Sequence, residues 1–219
     1  GQHSLVVHDI DRQSADPHLK LGATWANTPR EVAAASEVVF TSLPGPTEVQ
    51  AVALGDDGIL AGLSVGQAYF DLSTNSPTVM RELHARFAEK GGALLDAPVS
   101  GGPDGAKSGK MAIWVGGDED VFTVHKPVLE SMSDAARYIG SIGAGSVAKL
   151  VHNLSGYIIQ TALAETFTMG VKAGLEPDAI WEAVRQGALG RRRTFDTLYR
   201  NFLPAKFDPP DFALALARK

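Results

Sequence analysis

A lysine and an asparagine stand four residues apart in a stretch that predicts one long helix. Lys149 and Asn153 would share a face of that helix, because residues at i and i+4 are neighbours on a helical surface. An ammonium and an amide that project together can both donate hydrogen bonds to one substrate oxygen. Lysines in such a pattern are also commonly solvated surface residues, so the residues alone leave both interpretations open.

A glycine-rich segment after a predicted strand is the second candidate. Ser100, Gly101 and Gly102 would expose successive backbone N–H groups without side-chain bulk, which suits a carboxylate or phosphate oxygen. The same glycine pair also fits a tight turn. We therefore expect either an anion-binding loop or a plain turn at this position.

Five further candidates follow predicted strands. In parallel α/β sheets ligands bind at the carboxyl ends of strands, where this sequence has Asp9, Leu43, Pro44, Ser73 and Thr74. An acid there can accept hydrogen bonds from ribose hydroxyls, and small hydroxyl residues can donate to a ribose or a nicotinamide amide. Aspartate, proline and serine are also common in plain turns, which is the alternative interpretation.

Alternating strands and helices would position these candidates. Short apolar runs predict strands at residues 4–8, 38–43, 68–72, 93–99, 111–115 and 138–139. Amphipathic stretches predict helices at residues 29–36, 77–90 and 118–132, with Ser76 as an N-cap before Pro77. Strands that alternate with helices of this length indicate βαβ units and a mostly parallel sheet.

The pattern changes near residue 143. Residues 146–173 predict one uninterrupted helix of about 28 residues, which would be about 42 Å long. Further helices are predicted at 177–186 and 194–202, and no strand signal follows residue 139. We expect an α/β dinucleotide-binding domain at residues 1–143 and an all-α domain at residues 144–219.

Composition excludes several classes of protein. The 219 residues include 20 basic and 25 acidic side chains, and the net charge of −5 argues against nucleic acid as a partner. No run of about 18 apolar residues predicts a membrane span. The absence of cysteine excludes disulfides and thiolate zinc sites, and the six histidines show no metal-ligand spacing. We expect a cytoplasmic protein that contains no metal.

Four separated strings occur in the order and spacing of one enzyme family. They are Leu-Pro at 43–44, Asp-Leu-Ser-Thr at 71–74, Asp-Ala-Pro-Val-Ser-Gly-Gly at 96–102 and Gly-x-Gly-x-x-x-Lys-x-x-x-Asn at 143–153. Over its whole length the chain resembles the β-hydroxyacid dehydrogenase family. This family includes 3-hydroxyisobutyrate dehydrogenase, tartronate semialdehyde reductase and the glyoxylate/succinic semialdehyde reductases.

The resemblance implies a fold and an activity. The fold would be a Rossmann-type doubly wound parallel sheet, followed by a long interdomain helix and an all-α C-terminal domain that mediates homodimers or homotetramers. The activity would be hydride transfer between NAD or NADP and a small 3-hydroxy acid or its semialdehyde.

The resemblance also assigns the substrate residues. Lys149 matches the catalytic acid/base of the family, and Asn153 matches the asparagine that helps to orient the substrate. The Ser-Gly-Gly segment from Ser100 through Gly101 to Gly102 matches the segment that holds the substrate carboxylate.

Cofactor residues are implied in the same way. Leu43, Pro44 and Thr74 match residues that line the cofactor, and Lys219 matches the lysine of a late family string that contacts the ligands. Independently of the resemblance, the charge of Asp9 would repel a 2′-phosphate, so we expect NAD to be preferred over NADP. Arg12 could still reach a 2′-phosphate, so the cofactor choice stays open.

Two departures from the family pattern are visible. The glycine-rich phosphate loop that should precede Asp9 by about 20 residues is not in the sequence. We therefore expect the first βα unit, and some helix after Lys219, to lie outside this sequence. His152 stands where many relatives have asparagine, which affects the shape of the substrate pocket.

Two other functions fit the same scaffold. One is a noncatalytic module that binds a dinucleotide or a partner protein, and the other is an imine reductase. Lys149 argues against both, since a binding module has no need of the Lys149–Asn153 pair and imine reductases usually have another residue at the lysine position.

Overall fold

The computed structural model describes residues 3–187 and 190–192. The chain divides into two compact units, Gly1–Leu150 and Val151–Lys219. The helix predicted at 194–202 lies outside the described residues, so that prediction stays untested.

The first unit contains the strands of the described chain. They are β1 (Val6–Val7), β2 (Thr24–Trp25), β3 (Val38–Thr41), β4 (Ala68–Asp71), β5 (Ala93–Asp96), β6 (Val99–Ser100), β7 (Met111–Gly116) and β8 (Ser133–Gly140). The helices of the described residues are α1 (Asp16–Lys20), α2 (Pro29–Ala34), α3 (Pro46–Leu54), α4 (Ile59–Gly62), α5 (Pro77–Glu89), α6 (Gly102–Ser108), α7 (Glu119–Glu130), α8 (Ala144–Lys172) and α9 (Pro177–Gln186).

Six strands form a sheet in which parallel pairs dominate. Its order is β3-β4-β5-β7-β6, and β8 also pairs with β7. β3, β4 and β5 are parallel neighbours, and β7 is antiparallel to β5 and β6 and parallel to β8. β1 and β2 form a separate parallel pair. The single run predicted at 93–99 is divided into β5 and β6 around Pro98, which has no N–H to donate to a ladder.

Helices cover both faces of this sheet. Along β4, Tyr69 packs with Leu83 and Phe87 of α5 in one buried cluster, whereas Phe70 packs with Phe122 of α7 in another. Successive side chains of a strand point to opposite faces, so a strand buried on both faces is apolar throughout. The predicted α/β, doubly wound Rossmann class is confirmed, with an antiparallel insertion at β6 and β7 that the sequence did not indicate.

Several elements differ from the sequence interpretation. α3 was not predicted, although Pro46 occupies its first turn, where a missing N–H costs nothing. β8 begins at Ser133, ahead of the two residues predicted, because pairing with β7 extends it over residues of weak strand propensity. Ser76 stands at the N-cap of α5, but its side chain makes no capping hydrogen bond.

The long predicted helix is present as α8, whose 29 residues begin at Ala144. In the second unit, Leu163 and Phe167 of α8 pack against Ile180 and Trp181 of α9. Within the described residues, no helix has the length and apolar character needed to cross a membrane.

Candidate active site

Two neighbouring strands end on buried carboxylates. Asp71 closes β4 and Asp96 closes β5, and the two are register partners in the parallel ladder. Their exposed fractions are 0% and 1%. In the sequence, both aspartates were considered only as parts of the motifs at 71–74 and 96–102, and neither was a candidate site residue. An acid that ends a fully buried strand needs hydrogen-bond partners, and this signal could have singled them out.

Asp71 joins the loops that follow β3 and β4. Its Oδ1 accepts hydrogen bonds from Thr41 Oγ1 at 2.9 Å and Ser73 N at 3.1 Å, and its Oδ2 accepts one from Asn75 Nδ2 at 2.9 Å. The Ser73 hydroxyl accepts a hydrogen bond from Leu43 N at 2.9 Å. The structure therefore brings two predicted cofactor residues, Leu43 and Ser73, into direct contact.

A buried tyrosine extends this network. The Tyr69 hydroxyl lies 2.8 Å from Thr41 Oγ1, which in turn donates to Asp71. Burial first, and the charge of Asp71 second, raise the pKa of Tyr69 well above its ordinary value. Tyr69 therefore stays protonated and can donate to Thr41, so every link of the chain has a donor and an acceptor.

The other predicted cofactor residues near these loops are more accessible. Pro44 is exposed, and Thr74 is half-buried with no hydrogen bond to its hydroxyl in the described part of the chain. A free hydroxyl beside the carboxyl ends of two parallel strands fits the donor set that a dinucleotide requires. Lys219 lies outside the described residues.

Asp9 lies just after β1 and is exposed. Its Oδ1 accepts a hydrogen bond from Asp11 N at 2.8 Å, so it also forms a turn. The guanidinium carbon of Arg12 lies 5.3 Å from the centre of the Trp25 ring, a distance at which a cation is attracted to the aromatic face.

Asp96 holds the start of α8. Its Oδ1 accepts a hydrogen bond from Gly143 N at 2.7 Å, and its Oδ2 accepts one from Ser146 N at 2.6 Å. These N–H groups have no partner within the helix, and a negative charge is favourable at a helix N-terminus. Burial nevertheless raises the pKa of Asp96 above 3.8, although the hydrogen bonds from Ser146 and Gly143 lower it.

Lys149 lies on the second turn of the same helix. It is half-buried, and within the described residues it forms no ion pair. Burial lowers the pKa of its ammonium from 10.5. An amine with a lowered pKa exchanges a proton more readily near neutral pH, as acid–base catalysis requires.

Asn153 follows on the next turn of α8 and is half-buried. Its Oδ1 lies 3.1 Å from Nδ1 of His152. A proton on that histidine nitrogen would be donated to the amide oxygen, which leaves the amide N–H groups for another acceptor.

The Ser-Gly-Gly segment spans the end of β6 and the start of α6. Ser100 ends β6, and the φ angles of Gly101 and Gly102 are +142° and +60°. Positive φ angles favour glycine, which explains the pair. Both glycines are exposed.

Models of protein families match nearly the whole chain. Residues 1–140 match the NAD binding domain of 6-phosphogluconate dehydrogenase. Residues 143–219 match the NAD-binding model of NADP-dependent 3-hydroxyisobutyrate dehydrogenase. The cofactor class predicted from the sequence, a nicotinamide dinucleotide, is confirmed.

Individual relatives agree with these models. The chain is 36% identical to NAD-dependent L-serine dehydrogenase of Pseudomonas aeruginosa over 186 residues, which cover 85% of this chain and 62% of the relative. It is 35% identical to 2-(hydroxymethyl)glutarate dehydrogenase of Eubacterium barkeri over 216 residues, which cover 99% of this chain and 71% of the relative. The chain thus spans about two thirds of the length of these relatives.

Solved structures share the architecture. The structure of Mycobacterium tuberculosis 3-hydroxyisobutyrate dehydrogenase with L-serine matches with a TM-score of 0.78 and 32% identity, over 86% of this chain and 63% of that one. An imine reductase from Streptomyces aurantiacus matches with a TM-score of 0.73 but only 21% identity, over 95% of this chain and 71% of that one, which shows a common fold alone. By its matches to both family models and to these dehydrogenases, the chain belongs to the β-hydroxyacid dehydrogenase family.

Proposed function

We propose that the protein transfers hydride between a nicotinamide dinucleotide and a small 3-hydroxy acid or its semialdehyde, with Lys149 as the acid/base. One observation carries this proposal. Lys149 is a half-buried amine that has no ion pair in the described part of the chain, and its pKa is lowered by burial. A structural lysine would be solvated or paired, whereas an acid/base must be able to gain and lose its proton.

The proton and the hydride follow separate routes. When bound, the nicotinamide ring gives or accepts the hydride. During reduction the Lys149 ammonium donates a proton to the carbonyl oxygen of the semialdehyde, which becomes the hydroxyl group. During oxidation the neutral amine accepts the proton of that hydroxyl as the carbon loses hydride.

Two further groups would hold the substrate. The Asn153 amide donates to the reacting oxygen, and its hydrogen bond with His152 supports this orientation of the amide. The N–H groups of the exposed glycines Gly101 and Gly102, next to Ser100, hold the substrate carboxylate. Such fixed donors position the reacting carbon without reorganisation during the reaction.

The substrate class follows from this donor set. A carboxylate at one end and a hydroxyl-bearing carbon at the other are features of L-serine and 3-hydroxyisobutyrate, the compounds after which similar enzymes are named. We propose that this protein oxidises a compound of that kind. The panel for testing contains both of these and 2-(hydroxymethyl)glutarate.

The test of the acid/base is Lys149→Ala in the full-length natural protein. We expect turnover with each active member of the panel to fall by at least about 100-fold, while NAD binding is retained. Turnover is followed by the absorbance of reduced nicotinamide and NAD binding by calorimetry. The matched control is Lys172→Ala, which removes an exposed lysine from the last turn of the same helix. Near-normal turnover of Lys149→Ala would contradict the assignment.

We further propose NAD as the preferred cofactor. The exposed carboxylate of Asp9 would repel a 2′-phosphate, and Arg12 lies against Trp25. We expect kcat/KM to be higher with NAD than with NADP, and Asp9→Ala to shift the ratio toward NADP. Asp11→Ala serves as the control, because it removes a neighbouring carboxylate whose hydrogen bond caps the turn that follows. This variant should leave the ratio unchanged. A preference of the wild type for NADP would contradict this proposal.

We also propose that two segments of the chain have different functions. Residues 1–143 would bind the dinucleotide, and residues 144–219 would complete the substrate site and form a homodimer or homotetramer. Exposed apolar side chains of α8 support the second part: Val151, Leu154 and Ile158 are 59%, 59% and 60% exposed. We expect Leu154→Glu to lower the mass measured by light scattering, and a monomeric wild type would contradict the assembly.

A further inference from the structure

We propose that Asp96 is a positioning residue for the reaction: its carboxylate fixes the first turn of α8 and thereby holds Lys149 at the reacting atoms. This inference rests on the proposed function, in which Lys149 is the acid/base. All the contacts that support it lie within the first unit, Gly1–Leu150.

The two hydrogen bonds of Asp96 span the whole first turn. Gly143 precedes the first helical residue and Ser146 is three residues further on, and each donates its N–H to a different oxygen of the carboxylate. Two contacts at opposite ends of one turn restrict both its translation and its rotation. Lys149 follows Ser146 by three residues, so it lies above Ser146 on the same side of the helix.

The backbone of β7 packs closely against this turn. A Cβ atom on Gly116 of β7 would lie 2.5 Å from Asp96 Oδ1 and 2.9 Å from the N atoms of both Ala144 and Gly145. A Cβ atom on Gly145 would collide with the carbonyl oxygen of Trp114. The helix therefore starts in backbone contact with β7. This close approach is a second observation, beside the two hydrogen bonds of Asp96, that the first turn is held in place.

The carboxylate is retained although its burial is unfavourable. Desolvation has a larger effect on Asp96 than its hydrogen bonds, since the pKa is raised overall. An apolar residue in place of Asp96 would leave the N–H groups of Gly143 and Ser146 without this acceptor, which would lower the free energy of unfolding. The buried carboxylate and the first turn of α8 therefore hold each other in place.

Displacement of Lys149 should be costly. A shift of about 1 Å in a reacting group can reduce the rate on the order of 100-fold. Asp96→Asn keeps the shape of the side chain but replaces one acceptor oxygen by an NH₂ group, which faces a backbone N–H donor. We expect the first turn to move away from this contact and Lys149 to move with it.

The kinetic test is a double-mutant cycle in the full-length protein. We expect Asp96→Asn to lower kcat between about 10-fold and 100-fold, with the KM for NAD within about twofold of wild type. In a Lys149→Ala background, Asp96→Asn should cost nothing further, because a residue that acts through Lys149 has no effect once Lys149 is gone. Multiplicative losses in the double variant would overturn the proposal, as would a folded Asp96→Asn protein with normal kcat.

The second readout needs no substrate. Lysines methylated with ¹³C report their pKa by NMR, and the Lys149 signal is the one that is absent from Lys149→Arg. We expect Asp96→Asn to raise the pKa of Lys149 toward 10.5, because the displaced ammonium becomes solvated. Loss of a negative charge alone would lower that pKa, so an unchanged or lowered value would overturn the proposal.

Two controls separate the possible failures. Asp71→Asn removes the other buried carboxylate of the register pair, and its effect should multiply with that of Lys149→Ala. Normal turnover of Lys149→Ala would refute the proposed function, whereas the NMR result would still decide whether Asp96 positions Lys149. If Asp96→Asn does not fold, Gly116→Ala displaces the same turn with Asp96 intact, and an unaltered Lys149 pKa there would also overturn the inference.

Discussion

Asp71 and Asp96 are the same residue type at paired positions of adjacent parallel strands, yet they organise different parts of the molecule. The partners of Asp71 are Thr41 of the neighbouring strand and Ser73 and Asn75, which lie two and four residues further along the chain. The partners of Asp96 lie 47 and 50 residues away at the start of α8. One carboxylate shapes loops and the other anchors a helix.

The difference shows that position in the sheet does not determine what a buried acid does. The ladder gives both residues the same depth and the same edge, because the carboxyl ends of parallel strands meet there. The role of each carboxylate is then determined by the segment of the chain that donates hydrogen bonds to it. Accordingly, we expect changes around Asp96 to affect the chemical step and changes around Asp71 to affect cofactor binding.

The largest effect should come from Gly116→Ala. Its methyl group would wedge between Asp96 Oδ1 and the N atoms of the first turn of α8, at 2.5 Å and 2.9 Å. We expect kcat to fall about 100-fold, while the KM for NAD changes little. Steady-state kinetics measure both parameters. Gly105→Ala is the matched control, since its methyl group would meet nothing closer than 3.5 Å, and an equal loss of kcat there would contradict a specific effect at Gly116.

Asp71→Asn should give the opposite pattern. It weakens the hydrogen bonds that hold Ser73 and Asn75, and a lost charge-assisted hydrogen bond is equivalent to about tenfold in affinity. We expect the KM for NAD to rise about tenfold, with kcat within a few-fold of wild type. A fall in kcat with unchanged KM would remove the distinction between the two acids.

The pH dependence of oxidation tests whether Asp96, and not Asp71, acts on Lys149. The neutral amine is the base, so kcat for oxidation should rise with pH until the Lys149 pKa is passed, and that pKa lies below 10.5. Reduction, which needs the ammonium, should decline above the same pKa. In Asp71→Asn the profile should keep its position. A profile of Asp71→Asn that moves by as much as that of Asp96→Asn would contradict separate roles.

The smallest effect concerns stability and pH. The folded protein holds the proton of Asp96 at pH values where the unfolded chain, with a pKa near 3.8, has lost it. Protonation therefore favours the folded state, and the contribution of Asp96 to stability rises as the pH falls from its raised pKa toward 3.8. We expect the free energy of unfolding of wild type, relative to Asp96→Asn, to increase over that range in urea titrations. A difference that shrinks on acidification would contradict a raised pKa in the folded state.

Much of the fold could be predicted from the sequence, because its signals are local. The bounds of α9 were predicted to the residue, and those of β4 and α5 within one residue. Their signals are the apolar period, a proline in the first helical turn and a glycine after the last one, and all of these lie inside the element or next to it. Among the helices that were not predicted are α3 and α6, because proline and glycine clusters were interpreted as turns although they also begin helices. These errors concern elements in which one residue type fits two structures.

The candidate site was predicted less completely. Lys149, Asn153 and the Ser-Gly-Gly segment were identified from spacing and resemblance, and their roles stay predictions. The task of Asp96 was not identified, because its partners are far away in sequence and contribute only backbone N–H groups. One sequence carries no trace of such a contact, apart from the unexplained acid at the end of an apolar strand.

The two hydrogen bonds that Asp96 accepts at the start of α8 also have a consequence for amide hydrogen exchange. The first N–H groups of a helix ordinarily exchange fast with solvent, because nothing inside the helix accepts them. In α8 the amides of Gly143 and Ser146 point at a buried carboxylate instead. They should exchange at the slow rate of the core strands, so the start of this helix opens only when the sheet itself opens.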